Sequence, residues 1–276
     1  MSDAPTLAAL VLAGRRPGPP DPMESAEGVS HKAFIDIGGA PMIARVLKTL
    51  DAVDAVREVV VAAPAEAQER IRSLAGAKPL SFADAAATPA TTVHEALTRS
   101  EGGLLVTTSD HPLLTPGMVR HFLKKLDPTA FSAAAACVDA ATYLAAYPDT
   151  RRTFIRLSDL SFSGANLFWF KTDAAEPLLL FWRALEAKRK NPMAMASSIG
   201  ISTLVLYAAG LMTSKRLFRA IAARTGVETR LVPLPQAEAA IDVDKPEDLI
   251  LARRVFAERT AATPPAGPSA SAHRGD

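Results

Sequence analysis

The sequence predicts an α/β protein with a mainly parallel β-sheet that is flanked by helices. Short apolar runs of strand length alternate with segments whose apolar residues recur at helical spacing. One such segment, residues 41–50, is apolar at Met42, Ile43, Val46, Leu47 and Leu50. Regular alternation of strands and helices is typical of parallel sheets, because a helix returns the chain to begin each parallel strand.

The apolar runs predict where the strands lie, and the helical spacing between them predicts the helices. The predicted strands cover residues 7–12, 57–62, 80–82, 104–108, 131–138, 167–170 and 229–233. The predicted helices cover residues 41–50, 65–74, 92–99, 116–126, 176–189, 192–206, 214–224 and 246–259. We expect one domain over residues 1–259, in which residues 140–240 cover the mouth of a site at the sheet edge. Residues 260–276 are rich in Ala, Pro, Ser and Gly and are predicted to form a disordered tail.

The composition excludes several classes of protein. A formal net charge of +2 and an aromatic content of 6%, without a basic stripe, argue against nucleic-acid binding. The single cysteine, Cys137, lies in a predicted strand, and one cysteine allows neither an intrachain disulfide nor a zinc cluster. Asp3 precedes the first apolar run, which is too short to span a bilayer. We therefore expect a cytoplasmic protein without a transmembrane segment.

The residues after the first predicted strand form the first candidate site. Ligands bind a parallel sheet at the carboxyl ends of its strands, where residues 12–14 lie. Backbone amides near a glycine can surround phosphate oxygens, and Arg15, Arg16 and Lys32 can neutralise them. The same residues also fit a Pro-rich surface turn with solvated arginines.

Three acidic residues in two further segments are candidate metal ligands. Asp110 follows the strand 104–108, and its carboxylate suits Mg²⁺, which prefers hard oxygen ligands and bridges phosphates. Asp242 and Asp244 lie one residue apart, so an extended backbone would project both toward one metal ion. Capping is the alternative for Asp110 and Asp244, because aspartate caps turns and favours helix N-termini.

Four segments carry family motifs. They are Leu-Ala-Gly at residues 12–14, residues 32–43 with Gly-Ala-Pro-Met, Asp-His-Pro-Leu at residues 110–113, and Asp-Val-Asp-Lys-Pro-Glu-Asp-Leu at residues 242–249. In this order they resemble the motifs of the MobA-like nucleotidyltransferase superfamily. That superfamily includes molybdenum-cofactor guanylyltransferases and the sugar-phosphate and methylerythritol-phosphate nucleotidyltransferases. The resemblance covers roughly residues 7–259 and implies a Rossmann-like, GT-A type fold.

The resemblance implies a Mg²⁺-dependent enzyme that transfers a nucleoside monophosphate from an NTP to a small phosphorylated acceptor and releases pyrophosphate. It implies nucleotide-binding roles for Leu12, Ala13, Gly14, Arg15, Lys32, Thr91 and Thr92. It implies that Asp110 and Asp244 hold the Mg²⁺ with Asp242 beside them. The implied catalytic residues are Lys32, Arg16 and Asp110.

The second half of the chain is expected to hold the acceptor. By resemblance, Gly164 and Asn166 lie near it. The basic run 188–190, which contains Arg189, suits the acceptor's phosphate or a solvated helix end. The apolar stretch 199–212 is expected to be buried core, with an apolar wall for a lipid-like acceptor as the alternative.

The first motif departs from the family pattern. The family's loop reads Gly-x-Gly-x-Arg-Met, whereas Arg15 and Arg16 stand at its first glycines here, and the stretch from Gly18 to Lys32 is unusually long. A nucleotide-binding sensor without turnover is therefore one alternative function. A GT-A type glycosyltransferase that uses Asp242 and Asp244 with a nucleotide sugar is the other.

Overall fold

The computed structural model describes residues 6–15, 18, 21–172, 174–187, 198 and 200–262. Its strands are β1 (Leu7–Leu12), β2 (Asp36–Ile37), β3 (Ala40–Pro41), β4 (Val56–Ala62), β5 (Leu80–Ala83), β6 (Leu104–Thr108), β7 (Ala133–Asp139), β8 (Ile155–Arg156), β9 (Ser161–Phe170) and β10 (Thr229–Pro233). Its α-helices are α1 (Pro22–Ala26), α2 (Met42–Asp51), α3 (Ala65–Arg72), α4 (Pro89–Leu97), α5 (Pro116–Lys124), α6 (Ala140–Ala146), α7 (Glu176–Ala187), α8 (Ile201–Ala208), α9 (Ser214–Thr225) and α10 (Pro246–Ala261). Short 3₁₀ helices cover Lys32–Phe34 and Ala237–Ala240.

Eight of the strands form one mixed sheet. Its order is β10-β7-β9-β6-β1-β4-β5, and β8 pairs with β9. The pairs of β1 with β4 and β6, of β4 with β5, and of β10 with β7 are parallel. Strand β9 runs antiparallel between β6 and β7. The predicted α/β fold with a mainly parallel sheet is therefore confirmed, with β9 as its antiparallel member.

Strand β1 shows why the sheet strands read as unbroken apolar runs. Leu7, Ala9 and Val11 pack into one apolar cluster, whereas Ala8 and Leu10 pack into a second cluster on the opposite face. A strand covered on both faces needs apolar residues at every position. The two clusters hold the central strands rigidly, so the residues that follow them have fixed positions.

Several short elements were not predicted from the sequence. These are α1, β2, β3, α6 and β8. The three strands among them have only two residues each, which is too short for any periodicity to appear. Strand β9 begins at Ser161, six residues before the predicted start at Leu167, because polar and small residues interrupt its apolar pattern.

The expectation that the apolar stretch 199–212 is buried core is wrong for most of α8. The exposed fractions are 71% for Ile201, 59% for Val205 and 55% for Leu211. Within this stretch, Thr203 and Met212 are buried. None of the described helices is long and apolar enough to cross a membrane.

The end of α10 also differs from the sequence interpretation. The helix continues through Ala261, so Thr260 and Ala261 are helical and do not belong to the predicted tail. Residues 263–276 lie outside the described residues. Cys137 is buried in β7, as its apolar neighbours predicted.

Candidate active site

The carboxyl ends of β1, β4 and β6 are held together at one edge of the sheet. The Ser109 amide donates a hydrogen bond to the Leu12 carbonyl at 2.9 Å. The Ala13 amide donates to the Ala62 carbonyl at 2.9 Å. These bonds continue the parallel ladders past the ends of the strands, so the residues after β1 and β6 lie side by side where a ligand binds such a sheet.

Lys32, in the second family motif, contacts the third and fourth motifs through its ammonium group. Its Nζ lies 3.1 Å from Asp110 Oδ2 and 3.0 Å from Asp244 Oδ1. The side chains of Lys32 and Asp110 are 19% and 21% exposed, and that of Asp244 is 56% exposed. Burial disfavours the charged ammonium, but Asp110 and Asp244 outweigh it and raise the pKa of Lys32 above its ordinary value. Lys32 is therefore a permanent cation between two carboxylates.

Asp110 has one oxygen that this lysine does not satisfy. Its Oδ1 atom is buried and has no hydrogen-bond partner among the described residues. Burial raises the pKa of Asp110, and the charge of Lys32 opposes that rise. A buried, unpartnered carboxylate oxygen beside an exposed carboxylate is an arrangement that a second cation would stabilise.

Sequence analysis left capping as an alternative role for Asp110 and Asp244. In the structure, other residues cap the helices that follow them. At the start of α10, Asp248 Oδ2 accepts hydrogen bonds from the amides of Asp244 and Lys245, both at 3.2 Å. At the start of α5, the Thr115 hydroxyl accepts from the Met118 amide at 3.2 Å. The Asp244 carboxylate is thus available to Lys32, and the capping explanation does not account for it.

Asp242 lies in a separate polar network. Its Oδ1 accepts a hydrogen bond from Arg152 Nη1 at 2.6 Å, and its Oδ2 accepts one from Asn166 Nδ2 at 3.0 Å. Arg152 Nε also donates to the Ser163 hydroxyl at 2.9 Å. Both oxygens of Asp242 thus accept hydrogen bonds, and its charge also helps to raise the pKa of Asp110. In the described part of the chain, no group of three or more His, Cys, Asp or Glu side chains is arranged to hold a metal ion.

An irregularity in β9 directs Asn166 toward Asp242. The pairing with β7 shifts between Ala135 and Cys137, and Asn166 has a positive φ of 43°. Asparagine tolerates this left-handed conformation better than most residues do. Gly164 has negative φ and open space around its Cα, so nothing in its surroundings requires glycine. Arg152 has no motif around it in the sequence, which is why sequence reasoning missed it.

The long stretch before Lys32 contains α1, which fixes Arg15. Arg15 Nη2 donates to Glu24 Oε2 at 3.0 Å and to the Ser30 carbonyl at 2.6 Å. The other oxygen of Glu24 accepts from the Lys32 amide at 2.9 Å, and Glu24 is 4% exposed. Arg15 is therefore exposed, but its guanidinium is held by Glu24 and Ser30 and is not directed freely into the site. Arg16 lies outside the described residues.

The predicted base-contact residues lie at the start of α4, close to the end of β1. A β-carbon at Gly14 would lie 3.1 Å from the β-carbon of Ala85, so a larger residue at position 14 would crowd the segment before α4. The Thr92 hydroxyl accepts from the Ala86 amide and donates to the Thr88 carbonyl, at 3.0 and 3.2 Å. Thr92 thus stabilises the segment before α4 through two hydrogen bonds to its backbone. The hydroxyl of Thr91 lies 3.1 Å from that of Thr88.

His111 contributes bulk and no charge to the site. It is 1% exposed, and its buried ring lies beside the Ala239 backbone and the Asp242 carboxylate. Burial lowers the pKa of His111 to about 4, so the imidazole is neutral near pH 7. The sequence assigned it no role. Arg189, the predicted acceptor ligand, lies outside the described residues.

Comparisons with known proteins match this arrangement to one family. The sequence model of the MobA-like NTP transferase domain matches residues 9–226. That range includes most of β1 together with Lys32, Asp110 and Asn166, and it ends before the Asp242 segment. A search of curated protein sequences finds no match.

Solved structures with the same fold cover almost the whole chain. A hypothetical transferase from Thermus thermophilus is 29% identical, with a TM-score of 0.75, and the alignment covers 88% of this chain and 99% of that one. A 4-diphosphocytidyl-2C-methyl-D-erythritol synthase from Anaerococcus prevotii is 11% identical, with a TM-score of 0.56, over 92% of this chain and 100% of that one. A CMP:2-keto-3-deoxy-manno-octonic acid synthetase complexed with CTP is 18% identical, with a TM-score of 0.55, over 91% and 99%. The last two comparisons concern the fold alone.

Proposed function

Because the chain belongs to the MobA-like NTP transferase family and is a nucleotidyltransferase, we propose that it transfers a nucleoside monophosphate from an NTP to a small phosphorylated acceptor. The single observation that carries this proposal is the Lys32 ammonium between Asp110 and Asp244. It brings together one phosphate-neutralising cation and two potential metal ligands at the ligand-binding edge of the sheet. The glycosyltransferase and sensor alternatives do not fit membership of this enzyme family.

The residues present fit Mg²⁺ on Asp110 and Asp244. Mg²⁺ in nucleotide sites is commonly held by one or two carboxylates together with substrate phosphates and water, so a cage of three protein ligands is not required. The unpartnered Asp110 Oδ1 supplies one ligand atom, and Asp244 supplies the second carboxylate. When bound, Mg²⁺ would polarise the α-phosphate and neutralise charge on the triphosphate. We assign Asp242 to the acceptor side, since Arg152 and Asn166 already use both of its oxygens.

The proposed reaction needs no nucleophilic side chain. An anionic oxygen of the acceptor's phosphate attacks the α-phosphorus in line, a new P–O bond forms, and the bond from the α-phosphorus to the bridging oxygen breaks. Pyrophosphate leaves with the electron pair of that bond. Lys32 would neutralise the charge that grows on the departing pyrophosphate. The protein's task is positioning and charge neutralisation, which fits the absence of a Ser-His or Cys-His pair among the described contacts of this site.

The backbone of residues 12–15 is proposed to hold the triphosphate, with Thr91 near the base. A β-carbon at Gly14 would press against Ala85 at 3.1 Å, so glycine allows this backbone to pack closely against the segment before α4. We propose that Gly164, Asn166 and Arg152, within residues 140–240, lie on the acceptor side. Arg189 remains a prediction for the acceptor's phosphate.

A pyrophosphate-release screen tests the proposal. ATP, GTP, CTP and UTP would each be combined with a panel of phosphorylated sugars, polyols and amino alcohols in the presence of Mg²⁺. We expect release with one class of acceptor and little release without it, and the Asp110→Asn variant serves as the inactive control. Stabilisation by an NTP without any release across the panel would contradict the proposed reaction.

A further inference from the structure

Helix α8 and the turn that follows it expose an unusual amount of apolar surface. We use the name α8 surface for Ile201, Leu204, Val205, Tyr207 and Leu211, which are 71%, 42%, 59%, 46% and 55% exposed. They lie within eleven residues of one another, on a helix and the turn that follows it. Single exposed apolar residues are ordinary, but a contiguous apolar patch usually marks an interaction site.

Helix α9, which follows α8, contains basic residues and no acidic residues. Residues 200–227 contain no Asp or Glu, and their charged residues are Lys215, Arg216, Arg219 and Arg224. All four are exposed. The whole chain has a formal net charge of only +2, so this segment is far more basic than the rest of the protein.

Two of these arginines place their charge at the ends of α8. Arg224 Nη1 donates to the Ser198 carbonyl before the helix at 2.5 Å, and Arg216 Nη1 donates to the Leu211 carbonyl after it at 2.6 Å. These two bonds tie opposite ends of α8 and α9 together, and we call this pair of helices the α8–α9 hairpin. The neighbouring acid, Asp159, accepts hydrogen bonds from the Ser214 amide and hydroxyl at the start of α9.

We propose that the α8–α9 hairpin docks the protein onto the surface of an anionic lipid bilayer. An apolar helix bordered by Lys and Arg is the arrangement found in interfacial helices, which insert their apolar face at the level of the lipid headgroups. Basic side chains near the surface add electrostatic attraction to anionic lipids. With eight residues, α8 is far too short to cross the bilayer, so the contact is peripheral.

Charge favours a lipid surface over a second copy of the chain. In a symmetric dimer through the α8 surface, the same patch meets itself, so the basic residues of both copies would lie close together. Like charges that face each other across an interface cost free energy. Anionic headgroups, in contrast, complement the four basic residues of this segment.

The hairpin is joined directly to the strand that carries Asn166. The Ser158 amide donates to the Met212 carbonyl at 2.8 Å, and Asp159 binds Ser214. Ser158 and Asp159 lie in the turn between β8 and β9, and β9 contains Asn166. Docking through the hairpin would thus hold the acceptor side of the protein near the membrane, although the docking itself does not depend on the reaction.

Co-sedimentation with lipid vesicles tests this proposal without any measurement of activity. The purified protein would be mixed with vesicles of phosphatidylcholine alone and with vesicles that also contain phosphatidylserine. We expect sedimentation with the anionic vesicles only, and release at high salt. Ile201→Glu with Val205→Glu, and separately Lys215→Gln with Arg219→Gln, should each lower the partition coefficient by roughly tenfold or more.

Matched variants elsewhere provide the controls. Ile250→Glu changes an equally exposed isoleucine, 68% exposed, on α10, and Lys124→Gln with Lys125→Gln removes two exposed charges at the end of α5. Both controls should bind as the wild type does. The proposal is wrong if the wild type stays in the supernatant with anionic vesicles at low salt, or if the controls lose as much binding as the α8–α9 variants. A wild-type dimer that Ile201→Glu with Val205→Glu converts to a monomer would equally overturn it, since a second copy would then cover the α8 surface.

Discussion

Lys32 and Asp110 are 78 residues apart in the chain, yet their side chains meet at 3.1 Å. Strands β1 and β6 are adjacent and parallel, so Asp110 after β6 lies beside the segment that follows β1 and leads to Lys32. The Val243 amide donates to the Asp110 carbonyl at 2.9 Å and brings the Asp244 segment to the same place. Backbone hydrogen bonds thus join the first, third and fourth motifs, and the buried Glu24 side chain, which accepts from the Lys32 amide, holds Lys32 beside them.

Asp110→Asn should lower the rate of nucleotidyl transfer by roughly 100-fold or more while the protein stays folded. Asparagine keeps the size of the side chain but removes the charge that we propose for Mg²⁺ binding. Asp242→Asn is the matched variant, because Asp242 bonds to Arg152 and Asn166 instead. The Mg²⁺ concentration for half-maximal rate should rise in Asp110→Asn and stay near the wild-type value in Asp242→Asn. Equal increases in both variants would restore Asp242 as a metal ligand.

Lys32→Ala should have two separable effects. In catalysis it should lower kcat more than it raises the KM for NTP, since the pyrophosphate gains charge mainly in the transition state. In the absence of substrate it removes the cation between Asp110 and Asp244, which leaves two carboxylates facing each other. Added Mg²⁺ should therefore raise the melting temperature of Lys32→Ala more than that of the wild type. An unchanged kcat would count against the catalytic role of Lys32. A melting temperature that Mg²⁺ does not raise would count against its role as the cation between Asp110 and Asp244.

The sequence predicted the central sheet well because both of its faces are covered. Every position of β1 and the first three positions of β6 are apolar, and that pattern is visible without any structure. The sequence did not predict that β9 runs antiparallel, because the direction of a strand depends on the connections between strands and not on its local residue pattern. The α8 surface was misjudged for a related reason. Apolar composition indicates that a helix needs a partner, but it does not show whether that partner is the protein's own core.

Sequence analysis identified residues of the site only where they belong to a family motif. Lys32, Asp110 and Asp244 were named from the sequence, and the structure brings them together. Arg152 has no motif, and its role follows only from the hydrogen bond to Asp242. Sequence analysis also did not identify Glu24, because the sequence of a long loop does not indicate that one of its acidic residues is buried against Arg15.

Arg152→Ala should raise the KM for the acceptor and leave the KM for NTP nearly unchanged. Arg152 holds Asp242 and Ser163 in place, and Asp242 in turn holds Asn166, the residue that the family pattern places near the acceptor. Removal of the guanidinium leaves a partly buried carboxylate without its strongest partner. Steady-state kinetics with both substrates, together with an Arg152→Lys variant that keeps the charge, measure this split. Equal changes in both KM values would show that the network supports the whole site instead.

Gly38→Ala should destabilise the fold more than Gly39→Ala, although both glycines belong to the same motif segment. Gly38 has a φ of +60° and Gly39 a φ of +85°, so each substitution strains the backbone by about 1 kcal/mol. At Gly38, however, a β-carbon would also overlap the ring of Phe256 on α10, whereas nothing lies within 4 Å of one at Gly39. That ring is held by Arg45, whose guanidinium carbon lies 3.7 Å from its centre.

The expected loss in the free energy of unfolding is therefore about 1 kcal/mol for Gly39→Ala and about 3 kcal/mol for Gly38→Ala. Urea denaturation of the two variants measures the difference. Helix α10 begins just after Asp244, so we expect the Gly38 turn to support the Asp244 segment through packing against Phe256 and not through contact with nucleotide. If this view is right, Gly38→Ala lowers stability while the KM for NTP of the folded fraction stays near the wild-type value. A large rise in that KM with unchanged stability would instead assign the turn to the nucleotide.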